Sequence, residues 1–325
     1  MSAPDPEPLH SRLAGKAVEA FYWGGATLGA LHPFARPGRH GIERLDDIPY
    51  RRSGHPAHRL DIYRPYGCDN APVVLYIHGG GFRFMSKETH WLMGLGFARR
   101  GYLVVSINYR LAPRHPFPAA LVDACHAFDW VCNNVADYGG DPQRLVVAGE
   151  SAGANLAANV TLASCVEFDE AWMQKVWQHQ RVPRAAILAC GIFQVSRPQR
   201  FREKIKNLPD WLYHRIAEVY RDYLEPSSYR RRQSSRLADP VVVLEELDEP
   251  DRPLPPVFAP VGTSDPLLDD TRRLERALER LGAPCTARYY PDESHAFHAF
   301  LWRSRARKCW RETYEFLDQY VPVAP

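Results

Sequence analysis

Residues 144–157 read RLVVAGESAGANLA, and within them Gly149-Glu150-Ser151-Ala152-Gly153 sets a serine between two glycines. An apolar run precedes the pentapeptide and a run of small residues follows it. A strand turning sharply into a helix there holds Ser151 in a strained conformation and presents its Oγ at the helix N-terminus, where the dipole favours developing negative charge. Residues 75–82, LYIHGGGF, supply a second signal: a strand ending in His78-Gly79-Gly80-Gly81. Three glycines let the backbone turn its N–H groups outward, which suits an oxyanion hole for a tetrahedral acyl intermediate. Neither GxGxxG nor GxxxxGK[ST] occurs, so a nucleotide cradle is the weaker reading.

A serine nucleophile needs a base, and the base needs an orienting acid. After Ser151 the chain supplies PVFAPVGTSDPLLDD, an apolar strand followed by Asp265. It then supplies CTARYYPDESHAFHAF, another strand followed by His295. Both candidates fall just past strand ends, on the sheet edge that also carries Ser151. Asp269 and Asp270 are rivals for the acid, but they open the next helix and suit its N-terminus. His298 falls where the last helix is expected to begin. A positive charge there opposes the dipole, so a neutral role is expected, either packing or supporting the site from behind. His55-x-x-His58 and His295-x-x-His298 have metal-like spacing, but no carboxylate or cysteine is spaced to complete either set, and no metal or other cofactor is expected.

The elements that must position these residues follow a regular alternation. HRLDIYR, PVVLYIH, YLVVSIN, RLVVAG, AAILAC, PVFAPVG and CTARYY read as strands, the middle ones apolar enough to be buried on both faces. Helices are expected at AALVDACHAFDWVCNNV, SAGANLAANVTLA, DDTRRLERALERL (ended by Gly282) and roughly Ala299–Tyr320. This implies an α/β fold, a mostly parallel sheet with helices on both faces, whose tightly joined first strands are antiparallel. Residues 1–42 and 195–240 break the rhythm. Both are expected to fold over one end of the sheet, leaving 43–194 and 241–325 as the core.

Composition bounds the function. Of 325 residues 45% are hydrophobic and 24% charged, as in globular proteins, and the net charge of +3 is too mild to argue for nucleic acid. The densest basic run, Arg230, Arg231 and Arg232 with Arg236 nearby, reads as a solvated loop. Seven scattered cysteines suit reduced thiols in a cytoplasmic protein. The start MSAPDPEPLH does not resemble a signal peptide, and VEAFYWGGATLGAL (18–31) contains a Glu and is too short to span a bilayer. It reads as a covering helix, with a monotopic membrane contact as the weaker reading and no stable membrane insertion expected. The sequence leaves room for a homodimer.

HGGG, then YRLAPRHPFPAALVD (109–123), then GESAG, DPLLDD and a late HAF occur in an order that resembles the hormone-sensitive-lipase-like esterases of the α/β-hydrolase superfamily. The resemblance spans about residues 60–320. It implies an eight-stranded, mostly parallel sheet under a helical cap, with the N-terminal segment and the 195–240 insertion in the cap positions. It also implies a triad of Ser151, Asp265 and His295, and an oxyanion hole of the Gly79, Gly80 and Ala152 N–H groups, with His78 shaping that loop. The implied activity is hydrolysis of short- to medium-chain acyl esters, with Phe82, Phe84, Trp91, Trp211, Tyr213 and Tyr220 as candidate pocket residues. An arylformamidase-like amide hydrolase would use the same constellation. A gibberellin-receptor-like protein on this scaffold would lack the triad histidine, which this chain keeps. The family often has GDSAGGN, HGF and an Asp before YRLAP, where this chain has GESAGAN, HAF and Asn108.

Overall fold

A computed structural model describes residues 9–225 and 233–323. Arg230–Arg232 and the first eight residues lie outside them. Eight strands form one sheet in the order β1-β2-β4-β3-β5-β6-β7-β8. They are β1 (Ile42–Pro49), β2 (Arg59–Pro65), β3 (Ala71–Ile77), β4 (Leu103–Ile107), β5 (Gly140–Glu150), β6 (Ala185–Ala189), β7 (Val257–Gly262) and β8 (Cys285–Tyr290). The β1–β2 and β2–β4 pairs are antiparallel, and the rest of the sheet, from β4 through β3 to β8, is parallel.

The strand alternation builds two cores. Val73, Leu75 and Ile77 of β3 face one side, with Leu103, Val105 and Ile107 of β4. There they meet α3 (Ala119–Asn134), α4 (Ala152–Cys165), α8 (Pro240–Glu246) and α9 (Leu268–Arg280) through Ala124, Phe128, Leu156, Val241 and Leu274. Val74, Tyr76 and Val104 face the other side, against α2 (Trp91–Ala98) and α10 (Ser304–Tyr320) through Met93, Phe97, Phe316 and Leu317. Each such large side chain contributes about 1.5–3 kcal/mol when taken out of water. Remaining helices among the described residues are α1 (Leu9–Ala30), α5 (Ala171–Trp177), α6 (Arg200–Lys204) and α7 (Asp210–Leu224).

Two expectations need correction. The seven strand-like runs omit β1. Its sequence IERLDDIP is half exposed, and its register slips between Leu45 and Ile48, where Asp47 takes a φ of 57°. An edge strand with a bulge and a charge-rich face does not show a buried strand's pattern. The last helix starts at Ser304 rather than Ala299, after a single 3-10 turn at Phe297–Ala299.

The two segments that break the strand rhythm meet. Helix α1 packs against α7. Helix α7 in turn holds the glycine loop: Arg83 pairs with Glu218 at 2.6 Å and Asp222 at 2.8 Å, and Phe82 stacks on Tyr223 with ring centres 3.7 Å apart. All seven cysteines are free. Among the described residues no helix is long and apolar enough to cross a membrane.

Candidate active site

Ser151 follows the end of β5 with φ 53° and ψ −118°, and α4 begins at the next residue. Such a φ is costly for a residue with a Cβ and persists only where the surroundings enforce it. Here the Ser151 N–H donates to Ala189 O at 2.9 Å, and its carbonyl accepts from Asn155 and Ile192. The flanking glycines are sterically required. A Cβ on Gly153 would sit 2.0 Å from Ile77 O, and one on Gly149 would sit 2.4 Å from Gly153 O. The turn exists because β3, β5 and the start of α4 are packed backbone to backbone.

Because β3, β5, β7 and β8 run parallel, the segments following them emerge on one edge. The structure brings Ser151, Asp265 and His295 together there. Ser151 Oγ lies 3.0 Å from His295 Nε2, and His295 Nδ1 lies 2.8 Å from Asp265 Oδ2. Asp265 is buried, and its other oxygen accepts the Leu267 N–H at 2.8 Å. The rival carboxylates are engaged elsewhere. Asp269 pairs with Lys204, and buried Asp270 pairs with Arg200 while accepting the Phe193 and Gln194 N–H groups. Burial alone would lower the His295 pKa. The charge and hydrogen bond of Asp265, then the charge of Glu150, outweigh it and raise the pKa above the ordinary value.

The glycine loop leaves β3 beside this pair. Gly80 has φ 107°, and a Cβ there would sit 2.1 Å from Phe84 O. Ala152 is the first residue of α4, so its N–H has no partner within the helix. His78 is buried, stacked on Tyr109 at 4.3 Å, with Nδ1 2.7 Å from Gly79 O. Burial and the neighbouring His90 lower its pKa to about 3, so it is neutral near pH 7.

His298 does not stand at a helix start as expected, and of the two roles left open it takes the supporting one. With α10 starting only at Ser304, the dipole argument falls away. His298 Nε2 lies 2.5 Å from Glu150 Oε2, and His90 Nε2 lies 2.7 Å from Glu150 Oε1. Burial opposes the Glu150 charge, but the two imidazoles outweigh it and hold the carboxyl well below its usual range. One carboxylate thus joins the turn bearing Ser151 to the start of α2 and to the loop bearing His295. Substituting Glu150→Gln removes a negative charge that raises the His295 pKa. The acid limb of the kcat/KM–pH profile should therefore move to lower pH; an unmoved or upward-moving limb contradicts this electrostatic link.

The aromatic candidates have separate surroundings. Phe82 is fully buried against Tyr223 and is corrected from pocket residue to loop anchor. Phe84 is half-buried. Trp91 Nε1 donates to Ala26 O of α1 at 3.0 Å, Tyr213 lies under the Arg202 guanidinium, Tyr220 packs on the main core and Trp211 is partly exposed. None of these contacts joins the rings to the triad. Sequence reasoning missed Tyr22, whose hydroxyl lies 3.5 Å from His295 O and whose pKa is raised to about 12, first by burial and then by the Glu150, Cys190 and Asp265 charges. Its position inside the run read as a covering helix was the available signal. Where the family often has HGF, Ala296 takes φ 55°, a conformation glycine adopts without a Cβ penalty.

Three histidines of the two HxxH motifs have carboxylate partners. His295 and His298 turn to different carboxylates, and His58 Nε2 lies 3.0 Å from Asp123 Oδ1. Spacing along the chain gave no sign of these carboxylate partners.

A strained serine where the central strand of a mostly parallel sheet meets a helix is the arrangement of the α/β-hydrolases, and a family model described as an alpha/beta hydrolase fold matches residues 74–299. The chain belongs to that family, in its hormone-sensitive-lipase-like branch. It is similar to the carboxylesterase NlhH of Mycobacterium tuberculosis, 44% identical over 119 residues; the match covers 36% of this chain and 34% of that protein's length. The esterase LipI of the same organism is 31% identical over 271 residues, covering 74% of this chain and 75% of LipI. Among solved structures, esterase LipW from Mycobacterium marinum superposes with a TM-score of 0.73 at 25% identity, over 96% of this chain and 90% of that one. A hyperthermophilic esterase from Pyrobaculum calidifontis gives 0.72 at 25% identity, over 94% and 96%.

Proposed function

We propose that the protein is a serine carboxylesterase acting on short- to medium-chain acyl esters. The observation that carries the reading is the continuous chain from Ser151 Oγ through His295 to Asp265, with contacts of 3.0 and 2.8 Å, at the turn between β5 and α4. The esterase names of the relatives support it.

In this mechanism His295 Nε2 takes the Ser151 proton as Oγ attacks the acyl carbonyl. The Gly79, Gly80 and Ala152 N–H groups stabilise the oxyanion, and each such donor is worth ~10²–10³ in kcat in enzymes of this kind. His295 then gives its proton to the departing alcohol. Water, deprotonated by the same Nε2, attacks the acyl-enzyme, and collapse of the second tetrahedral intermediate returns the proton to Ser151. Asp265 holds the Nδ1–H tautomer and stabilises the imidazolium. The reaction draws on no group beyond these side chains, the backbone donors and water.

Helices α1 and α7 act as the cap. One supplies Tyr22 next to His295, and the other pins the glycine loop through Arg83 and Phe82. A covered site favours acyl chains that end under the cap. With p-nitrophenyl esters, turnover should peak between acetate and octanoate and fall for laurate and palmitate. N-formyl anilide should be the slower substrate. Fastest turnover of palmitate would sink the chain-length reading, and faster formanilide hydrolysis would replace the esterase by an amide hydrolase.

A further inference from the structure

The proposed mechanism leaves one buried nucleophilic group beside the triad without a task. Cys190 directly follows β6, is fully buried, has φ 39°, and its N–H donates to Pro260 O at 2.9 Å. Its Sγ, a carboxylate oxygen of Asp265 and a ring nitrogen of His295 all lie within 4.8 Å of one another. Burial, then the Asp265 and Glu150 charges, push the Cys190 thiol pKa well above its ordinary value, and hydrogen bonds from the Ala296 and Ser151 N–H groups offset only part of that rise, so the resting group is the thiol. These donors come from the ends of β6, β7 and β8, elements far apart in sequence.

We propose that this cluster binds a soft divalent cation of the zinc or cadmium type, and that occupancy switches the triad off. Thiolate, imidazole and carboxylate are the donors zinc prefers, at ~2.0–2.3 Å, with three protein ligands and a fourth position left to water. Tetrahedral bonds of that length set the donors ~3.3–3.8 Å apart, so modest side-chain rotations close the set. The ligand charges sum to −2 and neutralise the ion, and the Glu150 carboxylate adds to the attraction.

The inhibitory step follows from proton bookkeeping. His295 Nδ1 is the nitrogen facing Asp265. When the metal takes the Nδ1 lone pair, the proton of the neutral ring resides on Nε2. The Cys190 thiol loses its proton to solvent as the sulfur–metal bond forms. His295 then presents an N–H to Ser151 and has no lone pair to accept the hydroxyl proton. With at least one proton released per ion, the inhibitory concentration should fall at least about tenfold per pH unit below the thiol pKa.

The inhibition half of this proposal rests on the serine-esterase reading, whereas the binding half does not. The test therefore reads both. Zn2+ should inhibit p-nitrophenyl butyrate hydrolysis, and excess EDTA should restore the rate. Cys190→Ala and Cys190→Ser should each raise the inhibitory Zn2+ concentration, relative to their own metal-free rates, by at least about tenfold. Cd2+ titration of the wild-type chain should produce a thiolate-to-cadmium charge-transfer band that is lost in both Cys190 variants and retained in Ser151→Ala. Equal Zn2+ sensitivity across the three proteins, inhibition that EDTA does not reverse, or an unchanged cadmium band in the variants each overturns the site. A Cys190-dependent band in a chain with no ester turnover leaves the site standing and removes the esterase reading instead.

Discussion

Ser151→Ala is expected to lower kcat/KM for p-nitrophenyl butyrate by about 10⁴–10⁶-fold, the range over which loss of a triad serine is felt when the rest of the site persists. Folding should survive. The one side-chain bond lost is that from Oγ to His295, while the turn is held by backbone bonds from Ser151 N to Ala189 O and from Asn155 and Ile192 to Ser151 O. Circular dichroism and the thermal midpoint should therefore match the wild type or exceed it slightly, because functional sites are often not optimised for stability. What activity remains is what the glycine loop and substrate binding supply by themselves. More than about 1% of wild-type turnover, with equal folded content, would mean that Ser151 is not the nucleophile.

The second large effect belongs to Asp265→Asn, expected to cost about 10⁴ in kcat. An asparagine keeps the shape but removes a negative charge in a buried position. It also no longer enforces the Nδ1–H tautomer, so Nε2 spends more time as a donor toward Ser151. The same change withdraws the largest influence raising the His295 pKa, so the residual activity should show its acid limb at lower pH than wild type. A drop of similar size with an unshifted limb would indicate a collapsed site instead. The neighbouring carboxylates supply the control. Asp269→Asn removes an exposed partner of Lys204 and should leave both rate and profile near wild type. If Asp269→Asn matched Asp265→Asn in both readouts, the assignment of the acid would be wrong.

The nucleophile and its partners were legible because each lies at a strand end marked by local sequence. Apolar runs stop abruptly at Gly149 and Gly262, and the β-rich run CTARYY stops at Tyr290; parallel pairing then brings their following segments to one edge. The glycine pattern carries equally local information, since Gly149 and Gly153 are required by atoms within a few ångströms. The missed features are non-local. Glu150 stood in the motif, but its partners His90 and His298 lie 60 and 148 residues away. Cys190 approaches His295 only when β6, β7 and β8 are aligned. Phe82 looked like a pocket residue because aromatics beside a glycine loop can serve either role; Tyr223, 141 positions later, decides it. Strand β1 escaped because its charge-rich face and the bulge at Asp47 erase the pattern that marked the other strands.

The Glu150 carboxylate carries an implication for heredity. Both of its oxygens are spent, one on His90 and one on His298. An aspartate, which the family often places before the nucleophile, is one methylene shorter and would draw back from both rings at once. The three positions therefore form an epistatic unit. Glu150→Asp alone should be harmful here, yet nearly neutral in a background whose two histidines have already been replaced by groups that fill the gap. Sites this close generally depart from additivity by about 0.5–3 kcal/mol. Exchanging pentapeptides between relatives is thus not the transfer of a self-contained module, because the letter before the serine has a meaning fixed by two residues that the exchange leaves behind.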